Sequence, residues 1–222
     1  MLAQAFERYK DDDNIVIFAS GVSNSKETDI DKYLREINML YDASLLKSQS
    51  KLIYFSTTSI FDPSLIDSAY IKHKREIEKI IENNFPNYLI FRLPQVIGRT
   101  TNPNTFYNHL KNKIVNSETV TIYENASRWI IDVDDVVGIL SSVIDDVNQN
   151  KKTMNVAFDN KTSVLKLVSL MEILLRKKSD KENALIGGDD YDFDKAEFIF
   201  LADKLGMNVT KGYNVITLKK YL

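Results

Sequence analysis

Three short runs of this chain, Asn14–Ser20, Lys51–Thr57 and Asn87–Leu93, are apolar almost without interruption. A strand with one wet face alternates apolar and polar residues. A continuous run such as Ile15-Val-Ile-Phe-Ala19 therefore suits a strand covered on both faces. Longer helical patterns separate the runs, and strands alternating with helices predict βαβ units around a parallel sheet, an α/β fold. Helices are expected at Thr28–Lys47, with Leu34, Ile37, Leu40 and Leu45 inward, and at Ala69–Glu82. Others follow from Phe106 to Val115 behind an Asn102-Pro103-Asn104-Thr105 cap, then at Asp134–Asp146, Ser163–Lys177 and Ala196–Leu205, the last stopped by Gly206. Further strands are expected at Glu118–Tyr123 and Thr153–Phe158, with a loose polar stretch reaching Asp190 after the Ser163 helix.

The 222 residues suit one large domain or a domain with a small appendage. With 44% hydrophobic residues there is enough for a core, and a net charge of −2 offers no electrostatic case for nucleic acid or an anionic membrane. The absence of cysteine leaves no disulfide framework and no thiol catalysis. No apolar run reaches membrane-spanning length and no leader is recognisable, so no membrane insertion and a cytoplasmic location are expected. The Asp11–Asp13 run reads as a solvated turn, and no metal site is expected.

Tyr-x-x-x-Lys spacing occurs three times. Tyr107/Lys111 and Tyr191/Lys195 lack supporting context, and loss of either phenol is expected to be silent. Tyr70/Lys74 opens a helix just after a strand ending in hydroxyls, Ser56-Thr57-Thr58-Ser59. Residues four apart share a helix face, so phenol, ammonium and the Thr57 hydroxyl can meet above that strand end. A free phenol, with a pKa of about 10, is a poor base at neutral pH; a cation beside it favours the phenolate, and lowering it by about 3 units corresponds to about 4 kcal/mol. So tuned, Tyr70 could exchange a proton with a sugar or alcohol hydroxyl oriented by Thr57. His73, on another face of the helix, is expected at the surface, and His109 likewise. Trp129 reads as a core anchor. Arg128 suits either a surface ion pair or bidentate phosphate recognition. Gly187-Gly188-Asp-Asp190 reads as a flexible turn rather than a phosphate loop.

In order along the chain, several segments resemble the extended short-chain dehydrogenase/reductases, the NAD-dependent epimerase/dehydratase family that modifies nucleotide sugars. Asn14-Ile-Val-Ile-Phe-Ala-Ser-Gly21 is similar to that family's fourth strand, and Tyr54-Phe-Ser-Thr-Thr-Ser-Ile-Phe61 to its fifth. Tyr70-Ile-Lys-His-Lys74 matches its Tyr-x-x-x-Lys, and Phe91-Arg-Leu-Pro-Gln-Val-Ile-Gly98 its sixth strand and following turn. Arg128-Trp-Ile-Ile-Asp-Val-Asp-Asp135 resembles the segment whose Arg reaches the substrate phosphates, and Asn155-Val-Ala-Phe with Thr162-Ser-Val-Leu the start of the substrate lobe.

The resemblance implies a Rossmann-like parallel sheet, N-terminally abbreviated, over residues 1–100, and a substrate-binding lobe over 101–222 interleaved with the end of that sheet. It implies Thr57, Tyr70 and Lys74 as catalytic residues. NAD or NADP would lie against Ala19, Ser20, Gly21, Ser56, Tyr70, Lys74, Leu93 and Pro94, and a nucleotide sugar against Thr58 and Arg128. A homo-oligomer, a dimer, is expected. Dehydratases of this pattern carry Asp-Glu after the catalytic Thr; Thr58 and Ser59 stand there instead, which points to a keto-sugar reductase or an epimerase of surface-polysaccharide biosynthesis. The family's opening strand and Gly-x-x-Gly-x-x-Gly turn have no counterpart: of seven glycines only Gly21 lies in the first 90 residues. Met1–Tyr9 reads as an amphipathic helix like the one that follows that turn. The alternative is thus a cofactor-deficient relative that binds a sugar nucleotide or a partner without turnover. The Ile15–Ala19 strand would then be an unprotected sheet edge, prone to self-association, and dinucleotide binding would be weak.

Overall fold

The computed structural model describes residues 1–46, 49–184, 190–207 and 209–222. In chain order the elements are α1 (Leu2–Ala5), β1 (Ile15–Phe18), α2 (Ile30–Leu46), β2 (Lys51–Thr57), α3 (Ala69–Asn84), β3 (Tyr88–Leu93), β4 (Gln95–Ile97), α4 (Phe106–Val115) and β5 (Val120–Tyr123). They continue as β6 (Ser127–Arg128), β7 (Ile130–Asp132), α5 (Val133–Ile144), β8 (Lys152–Asn155), β9 (Thr162–Ser163), α6 (Val164–Leu175), β10 (Lys181–Ala184), α7 (Ala196–Lys204) and α8 (Tyr213–Lys220).

The main sheet is parallel with strand order β1-β2-β3-β8, in the register Ile17–Ile53, Tyr54–Ile90 and Phe91–Met154. Side chains alternate between its faces. Ile53, Phe55, Leu89 and Phe91 enter one core with Phe6, Val136, Ile139, Leu140 and Phe198, under α5 and α7. Leu52, Tyr54, Tyr88 and Ile90 enter another with Phe18, Leu40, Ile77 and Ile81, under α2 and α3. Both faces are covered, which is why these strands read as continuous apolar runs. A third core joins α4, α6, α8 and β5 through Leu110, Ile114, Ile122, Leu167, Met171 and Leu218. β7 links the cores, with Ile130 in the third and Ile131 in the first. The α4 start matches its expected cap, Thr105 accepting from the Asn108 N–H.

Several expectations are corrected. Leu34 and Leu45 are 48% and 80% exposed; the inward stripe of α2 is Tyr33, Glu36, Ile37 and Leu40, one helical step from the pattern the leucines suggested. The polar stretch before Asp190 contains β10, which pairs in parallel with β5 from Lys181–Val120 to Ala184–Tyr123. Its residues are polar because the strand is exposed along most of its length. Gly187 and Gly188 lie outside the described residues. The Met1–Tyr9 stretch forms α1 and a 3-10 turn, Glu7–Tyr9, and buries Phe6 and Tyr9. β1 is a sheet edge, pairing only β2 among the described residues. No helix among them is long and apolar enough to cross a membrane.

Where β2 and β3 face each other at Ser56 and Arg92, α3 supplies a buried acid. Glu78, 5% exposed, accepts from Ser56 Oγ at 2.6 Å and from Arg92 Nε and Nη2 at 3.0 and 2.6 Å. This two-pronged pair ties the helix to both strands below the site. Arg92→Leu leaves a buried carboxylate without its cation and should cost about 3–5 kcal/mol in urea unfolding. A loss below about 1 kcal/mol would show the pair to behave like a surface ion pair.

Candidate active site

β2 ends at Thr57, whose Oγ1 accepts from the Ser59 N–H at 3.1 Å and turns the chain into a 3-10 segment, Thr58–Phe61. α3 begins nearby, capped by Ser68, which accepts from the Ile71 N–H at 3.2 Å. Tyr70 is thereby in the first turn and Lys74 one turn on. The structure places the Thr57 hydroxyl beside the Tyr70 phenol, where it favours the ionised form, and buries Tyr70. Lys74 lies beneath them, 2% exposed, its Nζ 5.9 Å from the centre of the Tyr70 ring.

The partners of Lys74 are not the expected ones. Its ammonium donates to Glu36 Oε1 at 3.1 Å and to Tyr54 Oη at 2.8 Å. Tyr54 Oη in turn donates to Glu36 Oε1 at 2.8 Å. The other carboxylate oxygen of Glu36 accepts from the Val22 N–H at 2.7 Å and lies 2.9 Å from His73 Nε2. A carboxylate only accepts, so His73 carries its proton on that nitrogen. His73 is therefore a correction: it is 8% exposed, and its ring packs 4.5 Å from that of Tyr33. Gly21 sits against this cluster, where a Cβ would come within 2.6 Å of Glu36 Oε1 and 2.9 Å of Lys74 Nζ.

Charge and burial set the protonation of these groups. Burial alone would raise the Glu36 carboxyl, but the His73 hydrogen bond, the Lys74 charge, the Val22 N–H and the Tyr54 hydroxyl outweigh it and hold it at about 2. For Lys74 burial outweighs the attraction of Glu36, and its pKa falls below the ordinary value. Burial also pushes the Tyr70 phenol up, helped by the charge of Glu36 and opposed by the Thr57 hydrogen bond. The expectation that the Tyr70 pKa is lowered is thus corrected, chiefly because burial disfavours the phenolate, with the Glu36 charge acting in the same direction.

The remaining residues divide into two groups. Ala19, Ser20 and Gly21 follow β1, and Leu93, in register with Thr57, ends β3 before Pro94. These segments converge at the carboxyl ends of parallel strands, where open α/β sheets bind ligands. The Ser56 hydroxyl, by contrast, is spent on Glu78. On the lobe side Arg128 Nη1 donates to the Ser127 carbonyl at 2.8 Å, while Nη2 stands 3.7 Å from Asp62 Oδ2. That oxygen is buried without a hydrogen-bond partner among the described residues, its twin accepting from the Ser64 N–H and Oγ. Tyr191 packs 5.3 Å from Trp129; burial raises its phenol, opposed by the Arg128 charge and the Thr58 and Ser59 hydroxyls. Tyr191 thus belongs to the site, contrary to expectation. Trp129 is the expected core anchor at 1% exposure. Tyr107 donates to the Leu218 carbonyl at 3.2 Å and has no part in the site.

Glu36, Tyr54, Asp62 and Tyr191 were missed by sequence reasoning. Glu36 had a signal: it is an acid in the inward stripe of a helix that must pack on another.

No family model matches the chain, and no curated protein matches it by sequence. Solved structures match its fold. UDP-glucuronic acid 4-epimerase from Bacillus cereus, in complex with UDP-glucuronic acid and NAD, superposes with TM-score 0.71 at 16% identity, over 98% of this chain and 77% of that one. UDP-glucose 4-epimerase from Thermus thermophilus, in complex with NAD, gives 0.70 at 13%, over 99% and 80%. The dTDP-glucose 4,6-dehydratase from Bacillus anthracis, in complex with NAD, gives 0.70 at 14%, over 99% and 75%. The chain therefore has the Rossmann-like fold of the nucleotide-sugar epimerases and dehydratases.

The depressed Glu36 pKa has a stability consequence. Its folded value, about 2, lies below the ordinary 4.5. The group therefore contributes stability that is whole above about pH 5 and is lost as pH falls towards about 2. Glu36→Gln should flatten this part of the acid limb by on the order of 3 kcal/mol. Urea midpoints followed across that window check this; an acid limb as steep in the variant as in wild type would remove Glu36 as its source.

Proposed function

We propose that the chain is an NAD- or NADP-linked epimerase or keto-reductase of a nucleoside-diphosphate sugar, serving surface-polysaccharide biosynthesis in the cytoplasm as a homodimer. The observation that carries this reading is the buried Tyr70 phenol beside the Thr57 hydroxyl at the strand ends, with the Lys74 ammonium 5.9 Å from its ring. The sugar-nucleotide and NAD complexes formed by proteins of the same fold support it.

The residues present fit the nicotinamide end of a dinucleotide. Gly21 leaves the backbone open where a side chain would collide with the Lys74 cluster, and Lys74 has engaged two of its three ammonium donors among the described residues. Ala19, Ser20, Leu93 and Pro94 would line that end, with Tyr70 and Lys74 beside its ribose. When bound, the nicotinamide supplies hydride exchange at a sugar carbon. The chain's own part is to orient the sugar oxygen with Thr57, to hold a proton on Tyr70 Oη, and to place the diphosphate near Arg128. Thr58 and Ser59 offer no carboxyl group for dehydration.

A second reading, binding of a sugar nucleotide without turnover, is favoured by one observation. Both cations that would meet the ligands already face acids of this chain, Lys74 with Glu36 and Arg128 with Asp62.

The two readings separate in assay. Under the first, purified protein with a nicotinamide dinucleotide converts UDP-sugars, and Tyr70→Phe lowers turnover at least about 100-fold with little change in sugar-nucleotide binding. Tyr107→Phe leaves turnover unchanged. Arg128→Ala should weaken binding of UDP-glucose in calorimetry by about 1.5–3 kcal/mol, with Arg128→Lys recovering only part. Binding without conversion supports the second reading, and equal affinity for wild type and Arg128→Ala removes Arg128 from the site.

A further inference from the structure

The Lys74 ammonium stands 5.9 Å from the Tyr70 ring, yet its bonds run to Glu36 and Tyr54. The Glu36 carboxylate cannot swing away from it, because the Val22 N–H and His73 Nε2 fix the far oxygen at 2.7 and 2.9 Å. Position 21 is glycine, so no side chain presses on either group from that side. Glu36 is 0% exposed and Lys74 2%, so bulk solvent does not screen the pair. The groups facing Tyr70 are Tyr33 and Glu36 from α2, Thr57 from β2 and Lys74 from its own helix; Tyr54 and Glu78 face Lys74 from β2 and α3. One cation and one anion therefore act on the phenol together, and their effects oppose.

We propose that Glu36 is a positioning residue that holds the Lys74 ammonium away from Tyr70 and so makes Tyr70 a proton donor rather than a base. The donor role rests on the enzymatic reading above; the pairing itself does not. A phenol kept protonated at neutral pH is in the form that can give a proton to a keto-sugar oxygen: the Tyr70 O–H bond breaks and an O–H bond forms on the carbonyl oxygen, whose carbon would take hydride from a reduced nicotinamide dinucleotide, and a proton from solvent restores the phenol. This bias favours keto-sugar reduction over the alcohol oxidation with which an epimerase begins.

The test is nuclear magnetic resonance on the full chain, with no cofactor or sugar present. In protein carrying 15Nζ-lysine, Tyr54→Phe should shift the Lys74 Nζ signal while Tyr70→Phe leaves it in place. The opposite pattern would overturn the proposal. In protein carrying 13Cζ-tyrosine, the Tyr70 signal should stay in its phenol position through the ordinary phenol range, about pH 10. In Glu36→Gln it should titrate at least about one unit lower than in wild type, about tenfold more phenolate at a given pH. A wild-type Tyr70 that ionises below its ordinary pKa of about 10, or an unchanged Tyr70 in a folded Glu36→Gln protein, would overturn it too. Should Glu36→Gln fail to fold, the Lys74 signals in the two Tyr→Phe variants decide alone. Both expected results in a protein that converts no UDP-sugar would leave the pairing standing and sink only the enzymatic reading.

Discussion

A buried ion pair, Glu36 with Lys74, sits where the end of β1, helix α2, strand β2 and helix α3 meet. An isolated charge this deep would cost far more than a domain can offset, so each must be paired and hydrogen-bonded. That requirement explains the neighbours. Tyr54 bridges the two charges, His73 and the Val22 N–H satisfy the second carboxylate oxygen, and position 21 has room only for glycine. The packing of α2 on α3, the turn after β1 and the place of Tyr70 all depend on it.

The same arrangement recurs at two further cations. Arg92 grips Glu78 through two nitrogens, and Arg128 faces the buried Asp62. They differ in how complete they are. The Arg92 pair is bidentate and also takes Ser56, which makes it a structural tie. The Arg128 pair is loose at 3.7 Å and leaves Asp62 Oδ2 without a hydrogen bond among the described residues. Arg128 is therefore the cation a ligand phosphate could claim at least cost, whereas Lys74 would have to keep its internal partners while binding.

The main strands were legible because burial on both faces writes itself as an unbroken apolar run, as in Ile15–Ala19. α4 was legible to the residue, since Thr105 is a strong cap. The Thr57–Tyr70 contact followed from a strand end and a helix start lying close in sequence. The charge network was not legible, because it joins α2 to α3 across 38 residues and reverses the usual rule that acids face water. Leu34 and Leu45 reinforced the error by sitting on the solvent side of α2. β10 escaped notice because it pairs with β5 while staying largely exposed, so burial writes no apolar run into its residues. Tyr191 reaches the site from a segment far along the chain, so its spacing to Lys195 carried no information about its neighbours.

The most direct measurement is a double-mutant cycle on folding stability, with Glu36→Gln, Lys74→Met and the pair combined. If the buried ion pair organises this end of the sheet, each single change leaves a stranded charge and the combined change costs much less than their sum, with a coupling of at least about 2 kcal/mol. Additive losses, with a coupling below about 0.5 kcal/mol, would mean that the two groups do not depend on each other, and the account of the site built on their pairing would not stand.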